Sequence, residues 1–187
     1  ATYPCSIKLE KRIPSGAGLG GGSSNSAVTL KGLNRLAKEP IGQERLLELA
    51  AEIGSDVPFF LLDENAAIGT GRGEHVQPIA FPWRLPVILI KPPFPISTPW
   101  AYQKWASSKE LPGVLYAPQV CPWGEMVNDL ERPVFEKFTL LPTLKMKLLD
   151  HPDVIGALMS GSGSTMFAIA RTAVACDSVA ALAAKWC

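Results

Sequence analysis

The chain has 187 residues, enough for one large domain or two small lobes with a real core. Hydrophobic residues make up 47% and charged residues 19%, which argues against a disordered chain. The 18 basic residues against 17 acidic ones leave almost no net charge, which counts against a general nucleic-acid binder; an anionic ligand must be held by local geometry.

In chain order, "CSIKLEKRI" alternates apolar and charged residues and predicts a half-buried strand. The start, "ATYPCSIKLEKRI", has neither an initiator Met nor a signal-peptide layout, so residues are expected to be missing upstream. A glycine stretch follows, and then Ala27, Leu30, Leu33, Leu36 and Ala37 recur at helical spacing, with Ser23 or Ser24 as N-cap. "GQERLLELAAEIG" predicts a second helix that stops at Gly54. "PFFLL" and "NAAIGTGRGEHVQPI" read as short strands around a glycine turn, and "LPVILI" as a buried strand. The Pro-rich "KPPFPISTP" is the candidate hinge. Residues 99–106 and 125–149 read as mainly helical, interrupted by Pro133 and Pro142. "VIGALMSGSGSTMFAIA" predicts strand, glycine turn and strand, and "TAVACDSVAALAAKWC" a closing amphipathic helix. The order predicts an α+β fold of two lobes. Most of the Trp residues are expected in the core or between the lobes, with Trp100 and Tyr102 as candidates for a substrate cleft.

The four cysteines form no CxxC pair, so reduced thiols in a cytosol-like compartment are the default. No apolar run reaches the roughly 18 residues needed to span a bilayer. His75 and His151 have no partner spacing and read as surface residues.

"IPSGAGLGGGSS" carries the most specific signal. Glycines at 16, 18, 20, 21 and 22 lie between a strand pattern and a helix start. Glycine lets the main chain approach a ligand closely, and a helix N-terminus offers unpaired N–H groups and a positive dipole end. Together they suit a phosphate chain, with the serine hydroxyls as further donors or a metal ligand; the competing reading is a merely tight or flexible turn. No Gly-Lys-Ser/Thr is present, which excludes a Walker loop. Gly16, Gly18 and Gly21 satisfy G-x-G-x-x-G, but a second helix follows where a dinucleotide fold needs a strand, so that reading is the runner-up.

"IPSGAGLGGGSSNSAVTLKGLN" resembles the second motif of the GHMP small-molecule kinases. The triple glycine behind "KRIP", followed in order by "IGSDVPFFL", "GRGE" and "NDLE", is similar to the branch that phosphorylates 4-diphosphocytidyl-2-C-methyl-D-erythritol. "MSGSGSTMFAI" resembles the third GHMP motif, with Ser164 where members commonly carry Pro. The resemblance runs from Lys8 to about Ala170. It implies a two-lobed GHMP-kinase-like fold, split near residues 1–82 and 83–187, with a ferredoxin-like second lobe. It also implies that the first lobe lacks its early strands, together with the family's Pro-x-Lys-x-Asn motif and its assisting lysine.

It further implies ATP and Mg²⁺ as cofactors, and a cytidine diphosphate-linked methylerythritol as the small-molecule substrate. No nucleic-acid or membrane partner is expected, and the compartment would be cytoplasmic, or a plastid in a photosynthetic eukaryote. Pro14, Ser15, Gly16, Ala17, Gly18, Leu19, Gly20, Gly21, Gly22, Ser23 and Ser24 would form the ATP phosphate loop. Gly161, Ser162 and Gly163 would form a second glycine turn packed on it. Asp56 matches the catalytic aspartate. Read from its neighbours, Asp56 either caps a turn past the helix stop or accepts a substrate proton near the triphosphate. Asn128-Asp129 reads as a polar helix start. Two alternatives stay open: another GHMP kinase acting on homoserine, mevalonate or a sugar, and a nucleotide-binding fragment without turnover.

Overall fold

The computed structural model describes residues 4–184, so Trp186 lies outside the described residues. The fold is α+β, built around two separate hydrophobic clusters. In the first half, residues 5–13 form no strand, contrary to the alternating pattern. Ile7 and Leu9 are 61% and 59% exposed. Alternation alone does not make a strand; the main-chain N–H and C=O groups need a partner, and no described strand pairs with this segment.

Helix α1 (Gly21–Leu36) and helix α2 (Gln43–Ile53) pack through Ala27, Leu46 and Ala50, and α2 ends at Gly54 as its pattern predicts. "PFFLL" is a 3-10 turn, Pro58–Leu61, rather than a strand. Pro58 at its start presets φ and needs no donor there, and Val57 and Leu61 turn into the cluster. The expected hairpin forms: β1 (Ala67–Thr70) pairs antiparallel with β2 (His75–Pro78) across the Gly71–Glu74 turn.

The second half contains β3 (Val87–Ile90), α3 (Thr98–Trp105), β4 (Gln119–Cys121) and β5 (Gly124–Met126). These are followed by α4 (Glu131–Lys137), α5 (Leu140–Leu149), β6 (Val154–Met159), β7 (Met166–Ala170) and α6 (Ala175–Ala183). The main sheet is antiparallel in the order β3-β7-β6. Its core includes Phe135, Leu141, Leu144, Leu148, Val154 and Met166.

Four expectations change here. β3 is an edge strand, not a buried one: Ile90 faces the core, while Val87 and Leu89 are exposed. The region read as helical from residue 125 begins instead with the end of β5, the second strand of the β4–β5 hairpin. Pro133 and Pro142 stand in the first turns of α4 and α5, where no intrahelical donor is required, so they begin helices instead of interrupting one. The described Trp residues are not buried: Trp83 and Trp105 are exposed, and Trp100 and Trp123 are half-buried.

The hairpin covers the free edge of β6. The Gln119 side chain donates to the Ala157 carbonyl at 2.8 Å and accepts from the Ala157 N–H at 3.0 Å, so one amide satisfies both main-chain groups of Ala157 on that edge. The two halves meet at the glycine turns: the N–H of Ile96 donates to Gly16 O at 3.2 Å, and that of Thr165 to Ala17 O at 3.1 Å.

A candidate active site between two glycine turns

Residues 14–20 follow this irregular segment as a tight loop that delivers the chain to α1. Pro14 and Ser15 are exposed, Ala17 is buried, and Leu19 lines a cleft with its neighbours. Gly18 and Gly20 adopt left-handed φ values of 73° and 62°, which glycine takes without Cβ strain. Gly20 is the N-cap, displacing the expected serine cap. The left-handed turn at Gly20 starts the helix three residues before Ser23, so Ser23 and Ser24 stand inside its first turn. No side chain caps the helix, and the first intrahelical bond runs from Ser24 N–H to Gly20 O at 2.9 Å. The N–H groups at 21–23 are therefore free of side-chain caps and lie at the positive end of the helix dipole. Gly21 packs on Ile13, whereas Gly22 faces open space.

Asp56 sits in the turn between α2 and the 3-10 helix. That turn is closed by main chain alone, Val57 N–H to Gly54 O at 3.0 Å, with no side-chain cap. The capping role for Asp56 is thus not taken up, and its side chain is exposed. Asp56 lines a cleft of about 420 Å³ together with Gly18, Gly20, Gly73 and Ser160. The fold thus joins a carboxylate, Gly18, Gly20 and the open helix tip, although Asp56 and Gly20 are 36 positions apart in sequence. The "GRGE" turn lies beside Asp56: a Cβ on Gly73 would lie 3.9 Å from Asp56 Oδ1. Main-chain N–H groups of Glu74 itself and of Arg72 hold the Glu74 carboxyl below its usual value.

The second glycine turn packs against the first. A Cβ on Gly161 would lie 3.3 Å from Gly18 O, so only glycine allows this approach without displacement. Ser162 points elsewhere, its hydroxyl 2.7 Å from Thr98 Oγ1, and Gly163 is buried against Met159 and Ile96. The member of this turn that reaches the Asp56 cleft is Ser160, which sequence reasoning passed over. Its hydroxyl donates to Gly18 O at 2.7 Å.

Ser160 also borders a second cleft of about 800 Å³, lined by Tyr102, Trp105, Asn128 and Asp129 among others. Tyr102 lines this cleft, while Trp100 packs beside Phe138 and Lys137. Asn128 does more than begin a helix. Its Oδ1 accepts from Leu130 N–H at 3.0 Å, and its Nδ2 donates to Met159 O at 2.7 Å and Gly161 O at 2.8 Å. Glu131 and Lys145 form a fully buried ion pair below it, and Glu131 also accepts from Met159 N–H at 2.8 Å. Burial pushes the Glu131 carboxyl above its usual value, opposed by the Lys145 ammonium and the Met159 N–H.

Among the described residues no group of three His, Cys, Asp or Glu side chains stands together as a metal site. No helix among them is long and apolar enough to cross a membrane.

Residues 2–64 match the model of the GHMP kinases N terminal domain. The chain is 46% identical over 164 residues to a 4-diphosphocytidyl-2-C-methyl-D-erythritol kinase of Methylacidiphilum infernorum (isolate V4), covering 87% of this chain and 56% of that protein. It is 41% identical over 174 residues to the chloroplastic enzyme of that name from Oryza sativa subsp. japonica, covering 87% of this chain and 43% of that one. A crystal structure of a 4-(cytidine 5'-diphospho)-2C-methyl-D-erythritol kinase superposes with a TM-score of 0.71 at 31% identity, over 95% of this chain and 66% of that one. The chain therefore spans about half the length of these curated relatives. Sequence and fold agree: the chain belongs to the GHMP kinase family.

Proposed function

We propose that this chain carries the ATP phosphate loop and the catalytic carboxylate of a kinase that phosphorylates the 2-hydroxyl of 4-diphosphocytidyl-2-C-methyl-D-erythritol, in non-mevalonate isoprenoid precursor synthesis. The observation that carries this reading is the shared cleft of Asp56, Gly18 and Gly20, with an uncapped helix tip at its edge. The names of the relatives supply the substrate; the cleft supplies the chemistry.

In this reading the triphosphate lies along residues 14–24, its oxygens meeting the main-chain N–H groups at the start of α1. Asp56 accepts the proton of the substrate hydroxyl as that oxygen bonds to the γ-phosphorus and the bond to the β,γ-bridging oxygen breaks, releasing ADP. Most of the acceleration comes from alignment and from fixed dipoles aimed at the phosphoryl oxygens. Mg²⁺ would neutralise charge on the β- and γ-oxygens. The Ser24 hydroxyl, in the first turn of α1, would offer it a neutral oxygen ligand. We also read the two hydrophobic clusters as the two lobes, with the split near residue 82 and the β3-β7-β6 sheet in a ferredoxin-like second lobe.

The test is ADP release by the full-length protein with ATP, Mg²⁺ and the cytidine diphosphate-linked alcohol. Asp56→Asn is expected to lower kcat by roughly 10²–10⁴ while ATP affinity changes little. Loss of ATP binding in a folded Asp56→Asn variant would assign that residue another role. Turnover of homoserine, mevalonate or a sugar in place of the cytidine substrate would keep the kinase and replace its acceptor. ATP binding with no turnover of any alcohol would leave a nucleotide-binding module.

A further inference from the structure

We infer that Asn128 is a positioning residue for the phosphate loop, acting through Ser160; this rests on the reading of residues 14–24 as the nucleotide cradle. The amide of Asn128 donates to the two carbonyls flanking Ser160, those of Met159 and Gly161, at 2.7 and 2.8 Å. Glu131, three residues on and buried on Lys145, fixes the Met159 N–H from the other side. Asn128 thus holds the peptide entering Ser160 and the one leaving Gly161, and the side chain between them is the one that reaches the first loop, donating to Gly18 O at 2.7 Å.

Gly18 needs such a hold. Its left-handed main chain has no side chain to pack, and the direction of its carbonyl sets the direction of the Leu19 N–H across the same peptide plane. A short polar motif 110 positions away thus orients the peptide entering the helix tip. The second glycine turn is the connecting rod, and its glycines permit the close approach.

A purely local role for Asn128 would lie in its Oδ1, which holds the Leu130 N–H at the entry to α4. Asp preserves that acceptor and serves such turns as well as Asn does. It cannot donate, and it would set carboxylate oxygens against two carbonyl oxygens. Asn128→Asp therefore separates the two roles.

The experiment compares full-length wild type, Asn128→Asp, Ser160→Ala and the double variant by two readouts: ATP affinity from calorimetry, and amide hydrogen exchange over residues 16–22. Asn128→Asp is expected to weaken ATP binding roughly ten-fold and to speed exchange in that window, the scale of one or two lost hydrogen bonds. Ser160→Ala should reproduce most of both effects, and the double variant should add little, because both act through one contact. Wild-type affinity and wild-type exchange in Asn128→Asp would overturn the proposal. So would additive effects in the double variant. Failure of wild type to bind ATP would instead overturn the nucleotide reading, and the exchange data would still decide whether Asn128 holds the loop. Should Asn128→Asp not fold, Ser160→Ala decides: unchanged exchange over residues 16–22 would overturn the proposal.

Discussion

At Gly18 a methyl group would fall well inside contact distance of the Ser160 carbonyl oxygen, on a residue whose φ is already 73°. Neither obstacle can move cheaply, because both are main chain. Gly18→Ala is expected to destabilise the protein by more than about 1 kcal/mol and to abolish tight ATP binding, as read by urea unfolding and calorimetry. Gly22 is the opposite case. It lies inside the first turn of α1, and a Cβ there would meet nothing within 4 Å. Gly22→Ala should stabilise the protein by about 0.5–1 kcal/mol in the same unfolding assay. The two glycines look alike in the motif, and the sequence could not rank them. What separates them is a turn that arrives from residue 160.

Among the elements, α4 is held by the least replaceable contact. Glu131 and Lys145 are 1% and 0% exposed, and each is the other's counter-ion. Removing one leaves a buried charge unpaired, so Glu131→Ala is expected to cost about 3–5 kcal/mol in urea unfolding. Replacing both with Met should cost far less, because no orphaned charge remains. The β1–β2 turn carries a pH signature of the other kind. The Glu74 carboxyl is lowered by main-chain N–H groups, so its hold on the turn is complete above the ordinary glutamate value of about 4.3 and is lost as pH falls through its lower folded value. Exchange of the Arg72 amide, which donates to Glu74 at 2.7 Å, should accelerate below that point, and Glu74→Gln should flatten the response. Both helices of the first half, the β1–β2 hairpin and the β6–β7 pair were legible because period and turn residues agree there. The strand expected at 5–13 and the "PFFLL" strand do not form, since composition reports the propensity of a segment but not whether a partner lies beside it. The β4–β5 hairpin was missed because three-residue strands are too short to show a period.

For the whole molecule, the two hydrophobic clusters belong to different halves of the chain and communicate through the glycine turns, where Ile96 and Thr165 donate to the carbonyls of Gly16 and Ala17. A nucleotide bound at this seam is expected to stabilise both halves together. At 100 times its dissociation constant, ATP should add about 2.7 kcal/mol to unfolding, visible as one transition moving up in calorimetry. Two transitions with only one shifted would show that the seam does not couple the halves.

What the amino-acid order determined by itself is local. A run of glycines leading into serines and a helical period specifies a bare loop at a helix tip, because main-chain freedom and spare N–H groups are properties of neighbouring residues. The ordered motifs likewise point to the family without any coordinates. Only the tertiary structure decided that Asp56 is left free of its turn and faces that loop. It also decided that Ser160, not Ser162, reaches the cleft, and that Asn128 holds the carbonyls of the residues on either side. Those are relations between segments far apart in the chain, and distance through space is set by packing of the two clusters, which no single window of sequence contains.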